Sequence, residues 1–486
     1  MQPEFHSKNS PAQRLNGADS FFLNIESDEC PMNMGLLLLL EAGDEQALLQ
    51  RIREVVSKDT DLCRKLRCRL QTTPMKLGHP SWVPDTDFDL DEHIIRHDLS
   101  TSDDPDALQR LIEKIDSTRL PLDKPLWQVH IIKQVPGNQT AIIVKMHHSL
   151  ADGVTGMQLW LGLMDHSAAK KQAATDNKTV SAKAQEQQGL LDNKFQQWLQ
   201  LPAQLLQALF SEAALCLYVV YLSFLKRPIL SASTNAPATR FNRPINARRS
   251  YAYGTLRLAE FREIDSAFAC TRNETFLAIV AGTLRAYLSE NHELPPTSLY
   301  AGLPLTLSQT EQRGRADNQL AFYRSSLATR VEDPEQRLKQ IQRRLARNTR
   351  RVRSEWRKRL LERLINLPPR TTRKIAQLYR YLLSWRLLAP NVNLFATLLP
   401  GPSTKASICG RAVKGIYPIS IPYHGVGLAI TAIRYHDKLF YGIIADREQL
   451  PNPERLANLM RATTDDLLAR ARTKNNQTGS AAQQSQ

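Results

Sequence analysis

Between Lys145 and Gly156 the chain reads KMHHSLADGVTG: His147 and His148 are adjacent, and three residues separate them from Asp152-Gly153. Histidine is the side chain best suited to take a proton near neutral pH. A neighbouring aspartate can fix a base's tautomer and surroundings, and a glycine permits a turn that a Cβ would hinder. The chain has no serine in a G-x-S-x-G setting. A base without a protein nucleophile points to activation of a bound alcohol or thiol. A second reading stays open from the residues alone, a structural histidine pair at a strand end. Zinc is not expected, because HHxxxD lacks the helical HExxH spacing and no second ligand cluster is visible.

The flanking segments must hold this loop. PLWQVHIIKQV (125–135) and QTAIIVKMHH (139–148) predict a hairpin of buried strands around PGN. VTGMQLWLGLMD predicts a short apolar helix after Gly153. The two histidines therefore end a strand, and Asp152 lies in the turn before a helix. Upstream, residues 16–44 read as a loop and then an apolar run, NMGLLLLLEAG, of a length suited to a buried strand. DEQALLQRIREVVS (44–57) and residues 104–120 predict amphipathic helices. In the second half, YAYGTLRLAEFREID opens a new strand and helix set. A helix is expected over 273–288 from Asn273, strands over 299–307 and 320–329, two more strands around HDK, and a last helix over 453–472.

A length of 486 residues exceeds what one hydrophobic core usually holds, so two domains are expected. The six cysteines are scattered, without CxxC or zinc spacing, and imply free thiols in a reducing cytoplasm. The N-terminal MQPEFHSKNSPAQRLNG has no apolar core of a signal peptide, so an intracellular protein is expected. Residues 170–189 lack large aliphatics except Val180 and read as a flexible linker. Residues 213–225, AALCLYVVYLSFL, are 13 uncharged residues, fewer than the ~20 of a membrane span. A helix docked on protein or lying in a membrane interface is expected there. The resulting division is 10–168 for the first domain, 169–245 for linker and apolar connector, 246–473 for the second domain, and 474–486 for a disordered tail.

The net charge of +16 is concentrated. From Arg337 to Arg386 seventeen Lys/Arg stand against two acids, Glu355 and Glu362. The band reads as helical, with Leu338, Ile341, Leu345, Val352, Trp356, Leu360, Leu364 and Leu367 at helical spacings until Pro368-Pro369. It is either a solvated face or an attachment to an anionic partner. An anionic lipid surface attracts such a segment at about 1 kcal/mol per basic residue. No recognition motif supports nucleic acid.

HHxxxDG at a strand end resembles the signature of the chloramphenicol acetyltransferase-like, CoA-dependent acyltransferases. Within that superfamily the chain is most similar to the bacterial wax ester synthase/diacylglycerol acyltransferase family. NGADSFFLNIESDECPMNMGLLLLLE looks like its opening segment, and Pro125-Leu126-Trp127 matches its Pro-Leu-Trp element. RNETFLAIVAGTLRAYL resembles its Asn-Asp helix start, and GLPLTL and ADNQLAFYRSSLATRVEDPEQRL its next blocks. The stretch from LLPGPSTKASICG to GIIADREQLPN is similar to its C-terminal signature. The resemblance runs in order from about residue 10 to 470. The chain departs from the pattern with Asn273-Glu274 in place of Asn-Asp and Asp317-Asn318 in place of Gly-Asn.

The resemblance implies two acetyltransferase-like α/β domains, each a mixed sheet flanked by helices, with the active site between them. It implies transfer of a fatty acyl group from acyl-CoA to diacylglycerol or a long-chain fatty alcohol. Acyl-CoA is then a co-substrate, and no bound cofactor is implied. By the same resemblance His148 is the general base, with direct attack of the acceptor hydroxyl on the thioester and no acyl-enzyme. His147 then supports the strand end, Asp152 orients the loop, through an arginine if one is near, and Gly153 permits the turn. Asn273 reads as a helix N-cap or, with Glu274, as a border of the active site. Trp127 reads as core packing or as a substrate contact, and Gly425 and Gly427 as turn residues. Lipid substrates place the protein in the cytoplasm, in peripheral contact with the inner membrane face or lipid inclusions through the band 337–386. Two alternatives remain: a relative esterifying another alcohol, of the polyketide-associated type, and a non-catalytic protein of lipid surfaces.

Overall fold

The computed structural model describes residues 12–73, 78–100, 104–165, 236–304, 322–351 and 366–484. Two six-stranded mixed sheets, each flanked by helices, form its frame. The expected α/β class with two sheet-and-helix units is borne out.

The first half contains β1 (Gln13–Arg14), α1 (Gly17–Ile25), β2 (Asn33–Glu41), α2 (Glu45–Val56), α3 (Asp61–Lys65), β3 (Cys68–Gln71) and β4 (Ser81–Pro84). It continues with β5 (Ile94–Asp98), α4 (Ala107–Ser117), β6 (Trp127–Val135), β7 (Gln139–His147) and α5 (Gly153–Leu161). The second half contains β8 (Arg249–Arg257), α6 (Leu258–Phe268), α7 (Arg272–Glu290), β9 (Tyr300–Pro304), β10 (Phe322–Ser326), α8 (Pro334–Arg351) and α9 (Pro369–Ser384). Then come β11 (Leu394–Leu399), β12 (Ser407–Ile408), β13 (Arg411–Ile419), β14 (Leu428–Tyr435), β15 (Lys438–Asp446) and α10 (Pro453–Gln484).

The first sheet has the order β12-β13-β2-β7-β6-β5. Its centre is the antiparallel pair of β2 and β7, in register from Asn33 opposite His147 to Glu41 opposite Gln139. Leu37, Leu38 and Leu40 are fully enclosed. Successive strand residues face opposite sides, so an unbroken leucine run means that both faces of this strand are covered. The β6–β7 hairpin turns where expected, with Gly137 and Asn138 in the left-handed region.

The second sheet has the order β10-β9-β11-β14-β15-β8. Its strands alternate between two cores. Ala429, Ile433, Tyr435, Phe440 and Ile444 join the core of the first half. Leu428, Ile430, Ala432, Leu439, Tyr441 and Ile443 join a second core with Phe261 of α6, Phe276 and Ile279 of α7, Leu338 and Ile341 of α8, and Met460 of α10. The period of two thus supplies both layers from one apolar stretch.

Four findings differ from the sequence expectations. The stretch read as a loop before β2 contains α1, whose first turn is held by the Asn16 side chain accepting from Asp19 N at 2.7 Å. Strands β12 and β13, which lie within 246–473, complete the first sheet, β13 pairing antiparallel with β2. The last helix runs on through the expected tail to Gln484. The fourth is the start of α7, below. The linker 170–189, the apolar segment 213–225, Asp317-Asn318 and the band from Val352 to Leu364 lie outside the described residues.

Candidate active site

The HHxxxDG loop is built from the end of β7. Leu150 N donates to His147 O at 3.0 Å, closing the turn. His147 is fully buried. Its Nδ1 accepts from the backbone N–H of Ser149 at 3.0 Å and lies 2.7 Å from Ser149 Oγ. A backbone N–H can only donate, so the proton of the neutral ring sits on Nε2. That atom faces Glu26 Oε1 at 3.6 Å. The separation is too long for a hydrogen bond and short enough for the carboxylate charge to act on the ring.

His148 is half-buried. Its backbone N–H donates to Met32 O at 2.9 Å, tying the loop to the segment before β2. Its ring stacks on Phe22 of α1, with centroids 4.0 Å apart and planes 22° apart. Phe22 belongs to a small apolar cluster with Cys30, Met32 and Ile245, against which Ile421 and Tyr423 pack. The floor beneath His148 thus contains residues of both halves, in keeping with a site between them.

Asp152 is the N-cap of α5, its Oδ1 accepting from Thr155 N at 2.7 Å. Among the described residues no arginine forms an ion pair with it. It orients the loop by fixing where the helix starts. Gly153 is not in the left-handed region, and a Cβ built on it meets nothing within 4 Å. Its expected service to the turn is therefore not what the structure uses. The glycine needed for packing is Gly156, where a Cβ would stand 2.8 Å from Met146 Sδ and 2.9 Å from Met34 Cε. That close approach seats α5 on β7 and β2.

Asn273 is not a cap. Thr271 caps α7 in a capping box, with Glu274 N donating to Thr271 Oγ1 at 3.3 Å and Thr271 N donating to Glu274 Oε2 at 2.7 Å. The T-x-x-E spacing satisfies two backbone donors at once. Asn273 is the second helical residue and exposed. Among the described contacts neither Asn273 nor Glu274 bonds to the HHxxxDG loop.

Trp127 is core, fully buried, stacked on His93 at 4.6 Å and donating from Nε1 to Leu66 O at 2.7 Å. Gly425 does turn the chain, at φ +87°, with Tyr379 Oη 2.7 Å from a built Cβ. At Gly427 a Cβ would collide with Gln449.

The sequence reading missed a set of charged residues around the loop. Glu26 follows α1 directly. Its carboxylate accepts from Met32 N at 3.2 Å and from Arg119 Nη2 at 2.9 Å, and Arg119 also donates to Asp28 at 2.7 Å. Burial pushes the Glu26 carboxyl up, and His147 and Arg119 more than offset that, holding it at about 2. On the same strand as His147, Lys145 is buried and donates to Ile115 O at 2.7 Å and to Thr118 O. Burial brings Lys145 down to about 8 against the pull of Asp116 and Glu26. Asp116 is driven up by burial to about 6, opposed by Arg249 and Lys145. Arg249 itself donates from its backbone N to Ser117 Oγ at 3.2 Å, while Glu113 Oε1 accepts from Tyr251 N at 3.0 Å. One face of α4 thereby joins the first sheet to β8 of the second. The signal for Phe22 and Glu26 was present as a four-residue spacing, visible only once 17–25 is known to be helical.

Comparison with known proteins follows the same outline. Residues 15–276 match the sequence model of the wax ester synthase/diacylglycerol acyltransferase catalytic domain, and residues 316–467 that of the WS/DGAT C-terminal domain. A probable diacylglycerol O-acyltransferase of Mycobacterium tuberculosis is 28% identical over 451 residues, 91% of this chain and 93% of that protein. The O-acyltransferase WSD of Acinetobacter baylyi is 28% identical over 451 residues, 91% of this chain and 94% of that one. Among solved structures, the wax ester synthase/diacylglycerol acyltransferase of Marinobacter aquaeolei VT8 superposes with a TM-score of 0.65 at 23% identity, over 94% of this chain and 100% of that one. The starter condensation domain of rhizomide synthetase shares the fold at a TM-score of 0.56 and 15% identity, over 95% of this chain and 94% of that one.

Proposed function

The chain belongs to the wax ester synthase/diacylglycerol acyltransferase family, and from that premise we propose how it carries out acyl transfer. It moves a fatty acyl group from acyl-CoA to the hydroxyl of diacylglycerol, of a long-chain fatty alcohol, or of both. His148 takes the proton of the acceptor hydroxyl as its oxygen attacks the thioester carbonyl. The C–S bond then breaks, and the CoA sulfur leaves with the proton returned from His148. One ring supplies base and acid in turn, and no acyl group rests on the protein. The observation that carries this reading is the state of the two histidines. His147 has both ring nitrogens turned to buried protein atoms, while His148 is half-buried with its ring braced by Phe22. A base must be fixed yet reachable, and only the second histidine is both.

The acceptors are lipids, so the protein works at a lipid surface. None of the described helices is long and apolar enough to cross a membrane. Contact through the basic band is supported at two places. Arg343, Arg344 and Arg347 are exposed on α8. On α9 and just past it, Arg370, Arg373, Lys374 and Arg386 are exposed together with Tyr381, Trp385 and Leu387, of which Trp385 is 65% accessible. Basic residues beside exposed Trp and Tyr suit an anionic membrane interface. Arg337 does not serve there, since it is buried and donates to Val331 O at 2.9 Å. The apolar residues Leu338, Ile341 and Leu345 of α8 also face the core.

Thiol release from palmitoyl-CoA by the purified protein, with hexadecanol and dioleoylglycerol offered separately, tests the reaction. Acceptor-dependent release is expected, and the faster acceptor names the main product. Silence with both, in folded protein, would overturn the proposed acceptor class.

A further inference from the structure

Helix α1 and the residue that caps its end carry two side chains four residues apart, Phe22 and Glu26, and each meets one of the paired histidines. Phe22 lies under His148. Glu26 faces His147 Nε2 at 3.6 Å. Residues four apart share a helix face, so one short helix aligns both rings. The helix end is itself closed by Glu26 N donating to Phe22 O at 3.2 Å.

Glu26 also acts on the main chain. Its Oε1 accepts from Met32 N at 3.2 Å, and Met32 O in turn accepts from His148 N at 2.9 Å. The carboxylate therefore holds the peptide segment from which the base is suspended. Its side chain is only 1% exposed, and Arg119 donates to the second oxygen at 2.9 Å. His147 presents its Nε2 proton toward this charge because Ser149 N occupies Nδ1.

We propose that Glu26 is a positioning residue for the acyl-transfer step: it fixes the main chain at His148 and the orientation of His147, and it sets a buried negative charge beside the histidine pair during transfer. This rests on His148 being the general base. A purely architectural role, a buried anchor for Arg119, is the competing account. The two differ in what happens when the charge alone is removed. The charged or titratable groups around the carboxylate are His147 on β7, Arg119 beyond α4 with Asp28 behind it, Cys30 in the following loop, and Lys145 on β7.

The test is Glu26→Gln in the full-length protein, beside His148→Ala and Glu26→Asp, with kcat, KM and the pH profile of kcat/KM measured for each. Glu26→Gln keeps an acceptor for Met32 N and removes the charge. Its kcat is expected to fall about 10–100-fold with little change in KM for acyl-CoA, the scale of a slightly misplaced group. Its acid limb is expected to move to lower pH, because an imidazolium without its anion is a stronger acid. Glu26→Asp keeps the charge on a shorter stem. Its acid limb is expected to stay in place while kcat drops through displacement of Met32 and His148, and this variant carries the test if the glutamine form does not fold. An inactive His148→Ala with wild-type kcat and an unshifted acid limb in Glu26→Gln, or wild-type kcat in Glu26→Asp, overturns the role of Glu26 alone. An active His148→Ala overturns the general-base reading instead.

Discussion

Phe22 on α1 and Glu26, the residue that ends it one turn later, reach the two consecutive histidines at the end of β7, the phenyl ring 4.0 Å from the His148 ring and the carboxylate 3.6 Å from His147. Neighbouring residues of an extended strand point to opposite sides, so two adjacent rings ordinarily have separate surroundings. Here the first turn after the strand bends the chain, and one helix serves both. The loop's chemistry and its rigidity therefore have different sources in the sequence.

Replacing the proposed base would remove the proton transfer itself. His148→Ala is expected to lower turnover about 10²–10⁴-fold. Thermal unfolding should be little changed, because the ring is half-buried. Normal specific activity in folded protein would sink the general-base assignment.

Removing the stacking partner tests whether the base needs bracing. Phe22→Ala is expected to cost about 3 kcal/mol of stability, since a buried aromatic is lost. Phe22→Leu keeps much of the volume, and its kcat is expected to fall about 10-fold, because a small misplacement of the base is enough to slow the reaction. Equal kcat for Phe22→Leu and the parent would mean that the backbone bond to Met32 suffices.

Asp152 acts as a helix cap in this fold, which separates shape from charge. Asp152→Ala is expected to cost about 1 kcal/mol and to impair turnover through the displaced loop. Asp152→Asn and Asp152→Ser, which cap equally well, should retain activity within a few-fold. If the neutral caps are as inactive as alanine, the carboxylate charge matters in its own right.

Acid stability should report Glu26. Its carboxyl stands at about 2 in the folded protein against an ordinary value of 4.5. A depressed folded value gives stability that is complete above the unfolded value and is lost as the pH falls through the window between them. The full loss is about 3 kcal/mol. Urea unfolding of the parent and of Glu26→Gln as a function of pH checks this. The parent's advantage should shrink steadily below pH 4.5, and a constant difference would mean that Glu26 is not the group responsible.

For the lipid surface, flotation with vesicles containing phosphatidylserine is the direct measurement. Tyr381→Ala with Trp385→Ala should weaken binding at any salt concentration. Arg343→Gln with Arg344→Gln and Arg347→Gln should weaken it mainly at low salt, because exposed charges are screened. Unchanged flotation of all these variants would remove α8 and α9 from the contact.

What the sequence revealed follows the range of the forces involved. The β6–β7 hairpin, α5 and the position of Asp152 rest on local signals: alternation, a glycine-containing turn and an N-cap. The start of α7 was equally local, and Thr271-x-x-Glu274 announced it two residues before Asn273. Helix α1 was harder. SFFLNI surrounds Leu23 with aromatic, β-branched and polar residues that favour a helix only weakly, and what keeps it helical is the Asn16 cap and the burial of Phe22. Glu26 and Arg119 had no visible relation, because two positions 93 apart in sequence are brought together only by the fold. The pairing of β13 with β2 is the extreme case, since a strand's partner leaves no mark on its own residues.

That last pairing has a consequence for how the protein is made. The inner strand that places Asn33 opposite His147 needs a neighbour, β13, encoded far downstream of it. At the usual pace of translation, that edge, with its five consecutive leucines, waits on the order of tens of seconds for its partner. During that time it is an open edge of the kind that recruits other chains. The half-chain ending at the linker is therefore expected to need a chaperone on the ribosome and to aggregate when produced by itself. The fragment Arg411–Ile419, supplied in trans, would be the piece to rescue it.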